Sequence, residues 1–153
     1  MILWLLACAM HPAVPLGPVE RIDAFAIEAR GQTMAGMALV ASDAEQITLQ
    51  ALTPVGNAMF TVSVVDHHSE VDSPQPDLAL WLGRMPFARD LSALYRYECT
   101  QRCKAGAWTL ISTDNQTKIR GPGGRATLRT DDSTWVLSDL RRGYTLTVFR
   151  GAE

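Results

Sequence analysis

Three cysteines and one histidine-acid run carry most of the reactive side chains of this 153-residue chain. Cys8 follows Leu5, Leu6 and Ala7, and these four residues read as a lipobox. An apolar segment enters a membrane, small residues fit a peptidase, and the Cys8 thiol is the nucleophile that takes a diacylglyceryl group. A working signal also needs a basic start and an apolar core of about 7–15 residues. Only Met1 to Ala7 precede Cys8, and none of them is basic. The expectation is therefore a truncated signal remnant over 1–7, with the true start upstream. The alternative is a buried N-terminal strand with an incidental Cys8. Ala9 stands where an Asp would mark retention at an inner membrane, so the default destination is the periplasmic face of a bacterial outer membrane.

If Cys8 carries lipid, Cys99 and Cys103 remain as an even pair. An oxidising compartment favours a disulfide between them, closing a very short loop. A zinc pair would need a second Cys or His pair at ligand spacing, which the sequence does not offer; two free thiols in a loop are the other reading. Asp66, His67, His68, Glu70 and Asp72 are the one cluster with metal-ligand residue types. Adjacent strand residues point to opposite faces, so His67 and His68 would not both reach one ion. A solvated hairpin tip is the better reading, and no metal or other cofactor is expected. There is no Gly-x-Ser-x-Gly elbow and no Cys–His pairing, so no catalytic residue is assigned and no enzyme is expected.

The elements that must position these groups follow from periodicity. Phe25, Ile27 and Ala29 alternate with Ala24, Glu28 and Arg30. Met37, Leu39 and Ala41 read as the next inward set, followed by Ile47, Leu49 and Ala51, then Phe60 and Val62 with Val64. Period two with one apolar side marks half-buried antiparallel strands. Turns fall at Gly31-Gln32, Ser42-Asp43, Pro54 to Asn57 and Asp66 to Ser69. Pro74 and Pro76 break the sheet, and Asp77 can cap a short helical turn carrying Leu78, Leu80, Trp81 and Leu82. After Pro86, the three-and-four spacing of Phe87, Leu91, Leu94 and Tyr95 predicts a helix. Strands return at Trp108–Ser112, Lys118–Arg120, Arg125–Thr130, Thr134–Leu140 and Tyr144–Phe149. In the last, Tyr144, Leu146 and Val148 share a face. The turn at Gly121–Gly124 lacks the Lys-Ser/Thr pair of a phosphate loop.

This order predicts an α+β domain: a curved antiparallel sheet, or half-open β-barrel, with helices covering one face. The organisation read from it is a remnant over 1–7, a lipid anchor and proline-rich tether over 8–18, and one domain over 19–153. The tryptophans Trp81, Trp108 and Trp135 read as core, whereas Trp4 would leave with the signal. Net charge is −2 and only Arg141-Arg142 cluster among the basic residues, which gives no electrostatic basis for nucleic-acid binding.

The segment ITLQALTPVGNAMF over 47–60 resembles the strand, Thr-Pro-Leu-Gly turn and strand of a bacterial lipoprotein family related in fold to LolB, the outer-membrane lipoprotein receptor. The stretch from Pro86 to Tyr97 resembles that family's helical segment, and GYTLTV over 143–148 its closing strand. The resemblance implies a half-barrel with an apolar cavity that holds acyl chains of lipoproteins or lipids. A periplasmic carrier protein is a further implied partner. Phe25, Ile27, Met37, Leu39, Ile47, Leu49, Phe60, Val62, Tyr144, Leu146 and Val148 are the expected lining. Val55 matches the family's apolar membrane-insertion residue, although valine is smaller. The runner-up is an accessory or structural outer-membrane lipoprotein without a cavity, binding a protein partner or serving a lipid-linked polyene biosynthetic cluster.

Overall fold

The computed structural model describes residues 10–151; Trp4 and Cys8 lie outside them. Alternation of apolar and polar residues produces five consecutive antiparallel strands, β3 (Val19–Ala29), β4 (Gln32–Ser42), β5 (Gln46–Leu52), β6 (Ala58–Val65) and β7 (His68–Asp72). Two minimal strands precede them, β1 (His11–Pro12) and β2 (Val14–Pro15). After the helical region come β8 (Tyr97–Glu98), β9 (Arg102–Ala105), β10 (Trp108–Thr113), β11 (Gln116–Arg120), β12 (Ala126–Thr130), β13 (Thr134–Asp139) and β14 (Tyr144–Phe149). Twelve of these strands form one curled half-barrel in the order β1-β9-β10-β11-β12-β13-β14-β3-β4-β5-β6-β7, while β2 pairs with β8 apart from it. The antiparallel pairing of β14 with β3 joins the two halves of the chain.

The helical part is smaller than the expected covering layer. It comprises α1 (Pro76–Leu82), α2 (Phe87–Leu91) and a π-helical turn, Ser92–Arg96, that continues α2. Asp77 sits in the first turn of α1 and is not its cap; Gln75 holds the N-cap position without a side-chain hydrogen bond. The strand β7 replaces what reads in sequence as turn and linker. Its hairpin with β6 turns at Asp66 and His67, and all of Asp66, His67 and His68 are exposed.

The tether expected over 8–18 is pinned to the domain from His11 to Leu16. Strand β1 runs parallel to β9, opposite Cys103 and Lys104, and β2 pairs with Glu98 and Tyr97. The amide of Ala13 donates to the carbonyl of Lys104 at 2.9 Å, and that of Leu16 donates to Arg96 O at 2.8 Å. Proline at positions 12 and 15 suits such short edge pairings, because it leaves few donors to satisfy.

Every strand from β3 to β7 and from β9 to β14 alternates in direction, so odd-numbered strands point to one end of the sheet and even-numbered strands to the other. The turns after β3, β5, β9, β11 and β13 carry Arg30, Arg125, Arg141 and Arg142, with no Asp or Glu. The turns after β4, β6, β10 and β12 carry Asp43, Glu45, Asp66, Asp114, Asp131 and Asp132, with no Arg or Lys. The turns of this near-neutral chain are thus basic at one end and acidic at the other, although Arg150, which follows β14, and Arg96, which donates to Asp66 O, stand at the acidic end.

Candidate ligand-binding interior and its polar ties

Nine of the eleven residues expected to line the concave face do face inward and are buried: Phe25, Ile27, Ile47, Leu49, Phe60, Val62, Tyr144, Leu146 and Val148. Met37 and Leu39 do not; they belong to the outer face. The cause is the β3–β4 turn. Ala29 pairs with Gln32 across a two-residue loop, Arg30 and Gly31, both at positive φ (51° and 75°). This tight hairpin fits the twist of the strands. It sets Phe25 opposite Gly36 and Ile27 opposite Met34, so the inward set of β4 is Met34, Gly36, Ala38 and Val40. Both parities of β4 are apolar, and only the turn decides between them. Met37 is 40% exposed, and Leu39 lies with Ile22 in an open groove on the outer face.

The interior is occupied by the chain's own helical segment. Phe87 packs 6.5 Å from Phe60, which meets Phe25 edge-on at 5.9 Å. Leu82, Leu91, Leu94 and Tyr95 are also buried. The void among Arg89, Ser92, Ala93, Tyr97, Ala105, Trp108, Leu110 and Ile119 has 0 Å³ available to a water-sized probe. Trp108 is buried as expected of core, and its indole N–H donates to Pro122 O at 2.9 Å; Trp81 and Trp135 are half-buried.

Charged groups lie inside this apolar packing. The Arg89 side chain is fully buried. It contacts Asp90 Oδ1 at 2.7 Å and Asp139 Oδ2 at 2.9 Å, and donates to Gly123 O at 3.1 Å and to the Tyr144 hydroxyl at 3.1 Å. The Tyr144 hydroxyl in turn donates to Asp90 Oδ2. Burial pushes the Asp90 carboxyl above its ordinary range, against the pull of Arg89 beside it. Burial and the neighbouring Asp90 push the Tyr144 phenol up. A second tie joins the Tyr95 hydroxyl to Asp23 Oδ2 at 2.9 Å. Both ties run from the helical segment to inward positions of the sheet, so an otherwise non-directional contact acquires a defined register.

The Gly121–Gly124 turn supplies acceptors for this network. At Gly123, φ is 91° and an added Cβ would lie 2.6 Å from Pro86 Cβ, so only glycine fits. That close approach lets Gly123 O reach Arg89. Sequence reading does not single out Arg89, Asp90 or Asp139; the available signal is an adjacent pair of opposite charges inside the apolar spacing of Phe87 and Leu91.

The other site residues are placed as follows. A disulfide joins Cys99 to Cys103 with the Cα atoms 5.9 Å apart. Val55 stands at the tip of the β5–β6 turn, 83% exposed, where Gly56 N bonds back to Thr53 O. The rings of His67 and His68 stack at 4.3 Å, and among the described residues no group of three or more His, Cys, Asp or Glu side chains is arranged to hold a metal. No helix among them is long and apolar enough to cross a membrane.

No protein-family model matches the chain, and no curated protein matches it in sequence.

Proposed function

We propose that the chain is a membrane-anchored carrier or receptor for acyl chains, acting in lipoprotein or lipid delivery at the outer membrane. The observation that carries this reading is a concave sheet face lined by nine apolar side chains from β3, β5, β6 and β14, met by a single interrupted helical segment. An acyl chain gains about 0.8 kcal/mol per buried CH₂. It would take over the contacts that Phe87, Leu91 and Leu94 now make, so binding requires that segment to give way. Cys8 would hold the protein at the membrane, and the exposed Val55 would touch the lipid surface during transfer.

Native mass spectrometry of the unlipidated chain tests the proposal. Co-purified fatty acid or phospholipid supports a carrier; a ligand-free mass with no uptake of a fluorescent fatty acid removes it. Leu49→Trp sharpens the result. Leu49 is 8% exposed, and the larger ring should cost about 1–3 kcal/mol in a filled interior while abolishing fatty-acid uptake. A second reading, an accessory lipoprotein that binds a protein partner, is favoured by the lack of water-sized space around Arg89 and Trp108. It predicts the same loss of stability from a parent that never binds lipid.

A further inference from the structure

The pairing of Tyr144 with Ala29 sets the β13–β14 turn directly beside the β3–β4 turn. Arg141 and Arg142 therefore come next to Arg30, residues that are 111 positions or more apart in sequence. Arg84, just past α1, is drawn in because its carbonyl accepts from Arg142 Nη1 at 3.4 Å. These four arginines, with Trp81, Met85 and Tyr144, line a pocket of 280 Å³ that no Asp or Glu lines.

The four are not equivalent. Arg142 is already engaged: its Nε and Nη2 donate to Gly123 O at 3.2 and 3.1 Å, and Nε lies 3.5 Å from Asp139. The guanidinium groups of Arg30, Arg84 and Arg141 make no ion pair or hydrogen bond among the described residues. Three unpaired cations around one concavity repel one another, and an oxyanion relieves that repulsion. Planar guanidinium forks match the tetrahedral oxygens of phosphate with paired hydrogen bonds.

We propose that this pocket binds the phosphate of an anionic lipid headgroup. Its volume suits a headgroup and is too small for a whole lipid. Trp81, Met85 and Tyr144 give it an apolar side, and Tyr144 also belongs to the lining of the interior. The exposed Val55 turn lies at the same end of the sheet, and the opposite turns are acidic. The field of the molecule therefore directs the arginine end toward an anionic surface. The lipid as source rests on the acyl-binding proposal; the oxyanion site does not.

Co-sedimentation of the full, unlipidated chain with phosphatidylcholine vesicles, with and without phosphatidylglycerol, tests the site. Binding should require phosphatidylglycerol. It should weaken by about thirtyfold in Arg84→Gln/Arg141→Gln, as for two arginines at an anionic surface. Arg102→Gln/Arg129→Gln removes the same charge from exposed strand positions and should leave binding close to the parent. Equal loss in both pairs would reduce the effect to net charge and overturn the proposal, as would absence of binding to phosphatidylglycerol. Full competition by millimolar inorganic phosphate would identify the free ion as the ligand and overturn the lipid source. Uptake of a neutral monoacylglycerol on the same variants separates the two ideas. If it persists without any preference for phosphatidylglycerol, the headgroup site fails and acyl binding stands. Phosphatidylglycerol binding without acyl uptake gives the reverse.

Discussion

The two ends of the sheet are held together by different physics. At the arginine end, Arg89 ties α2 to Asp139, Gly123 and Tyr144 inside the core, and Arg142 closes the rim over Gly123 and Arg84. At the acidic end, two turns are capped by their own aspartates, beside backbone ties from Thr130 N to Asn115 O and from Arg150 N to Ser133 O. Asp43 accepts from the amides of Glu45 and Gln46 at 2.8 Å, and Asp131 from those of Ser133 and Thr134 at 3.2 Å, all exposed to solvent. The buried Arg89 network makes the first end cooperative with the whole fold, as the Tyr95–Asp23 tie does nearer the other. The exposed Asp43 and Asp131 caps are local, so damage to them should stay local.

The largest break in this comparison is Arg89→Met. It leaves Asp90 and Asp139 buried without their shared cation, which should cost about 3–5 kcal/mol in denaturant unfolding. Arg102→Met, on an exposed strand position, should stay within about 0.5 kcal/mol.

The ends should also answer pH with opposite sign. Asp90 has a folded pKa raised above its ordinary 3.8. Between that value and the raised one, the folded state binds more protons than the unfolded state, so its contribution to stability falls as pH rises through this window. Asp43 is pulled below its ordinary 3.8 by the amides of Glu45 and Gln46. It contributes above 3.8, and the contribution disappears as pH falls through the lowered value. Melting temperature against pH should therefore become less downward-sloping toward neutrality in Asp90→Asn, and less steep at the acid edge in Asp43→Asn. The same change of slope in both variants would contradict the assignment.

Asp131→Ala should cost no more than about 1 kcal/mol, because water replaces the lost acceptor at an exposed turn. Val55→Glu should be the mildest for folding, within about 0.5 kcal/mol by thermal melting. It should still slow delivery of acyl cargo to liposomes, because a carboxylate resists the acyl boundary.

Much of the sheet is legible in sequence because period two survives wherever one face is polar: Ile47, Leu49, Phe60, Val62 and the Tyr144–Val148 set all fall inward. Strand β4 is illegible for the complementary reason. Both of its faces are apolar, and its parity comes from the two-residue turn at Arg30 and Gly31. Strands β7 and β9 are short and rich in charge, and their identity comes from the neighbours that pair with them. The arginine pocket is the least legible feature. Apart from Arg141 and Arg142, its cations are far apart in the chain, and only the β14–β3 register gathers them. The buried Arg89–Asp90 pair hides inside a helical spacing that predicts an exposed polar side, because the segment is enclosed on more faces than one.

The parallel run of β1 beside β9 sets the orientation in which this molecule could work. The chain enters β1 at His11, opposite Cys103, heading toward the arginine end. Two residues, Ala9 and Met10, separate Cys8 from His11, a leash of about 10 Å at full stretch. The strand β3 alone, with 11 residues, extends about 36 Å. A lipid on Cys8, as proposed above, would hold the protein within the length of that leash from its β1 edge and leave the guanidinium groups of the arginine end free to meet another surface. Such a polarised body is suited to reaching from one bilayer to a second, and turbidity of mixed vesicles carrying the lipidated chain would report that bridging directly.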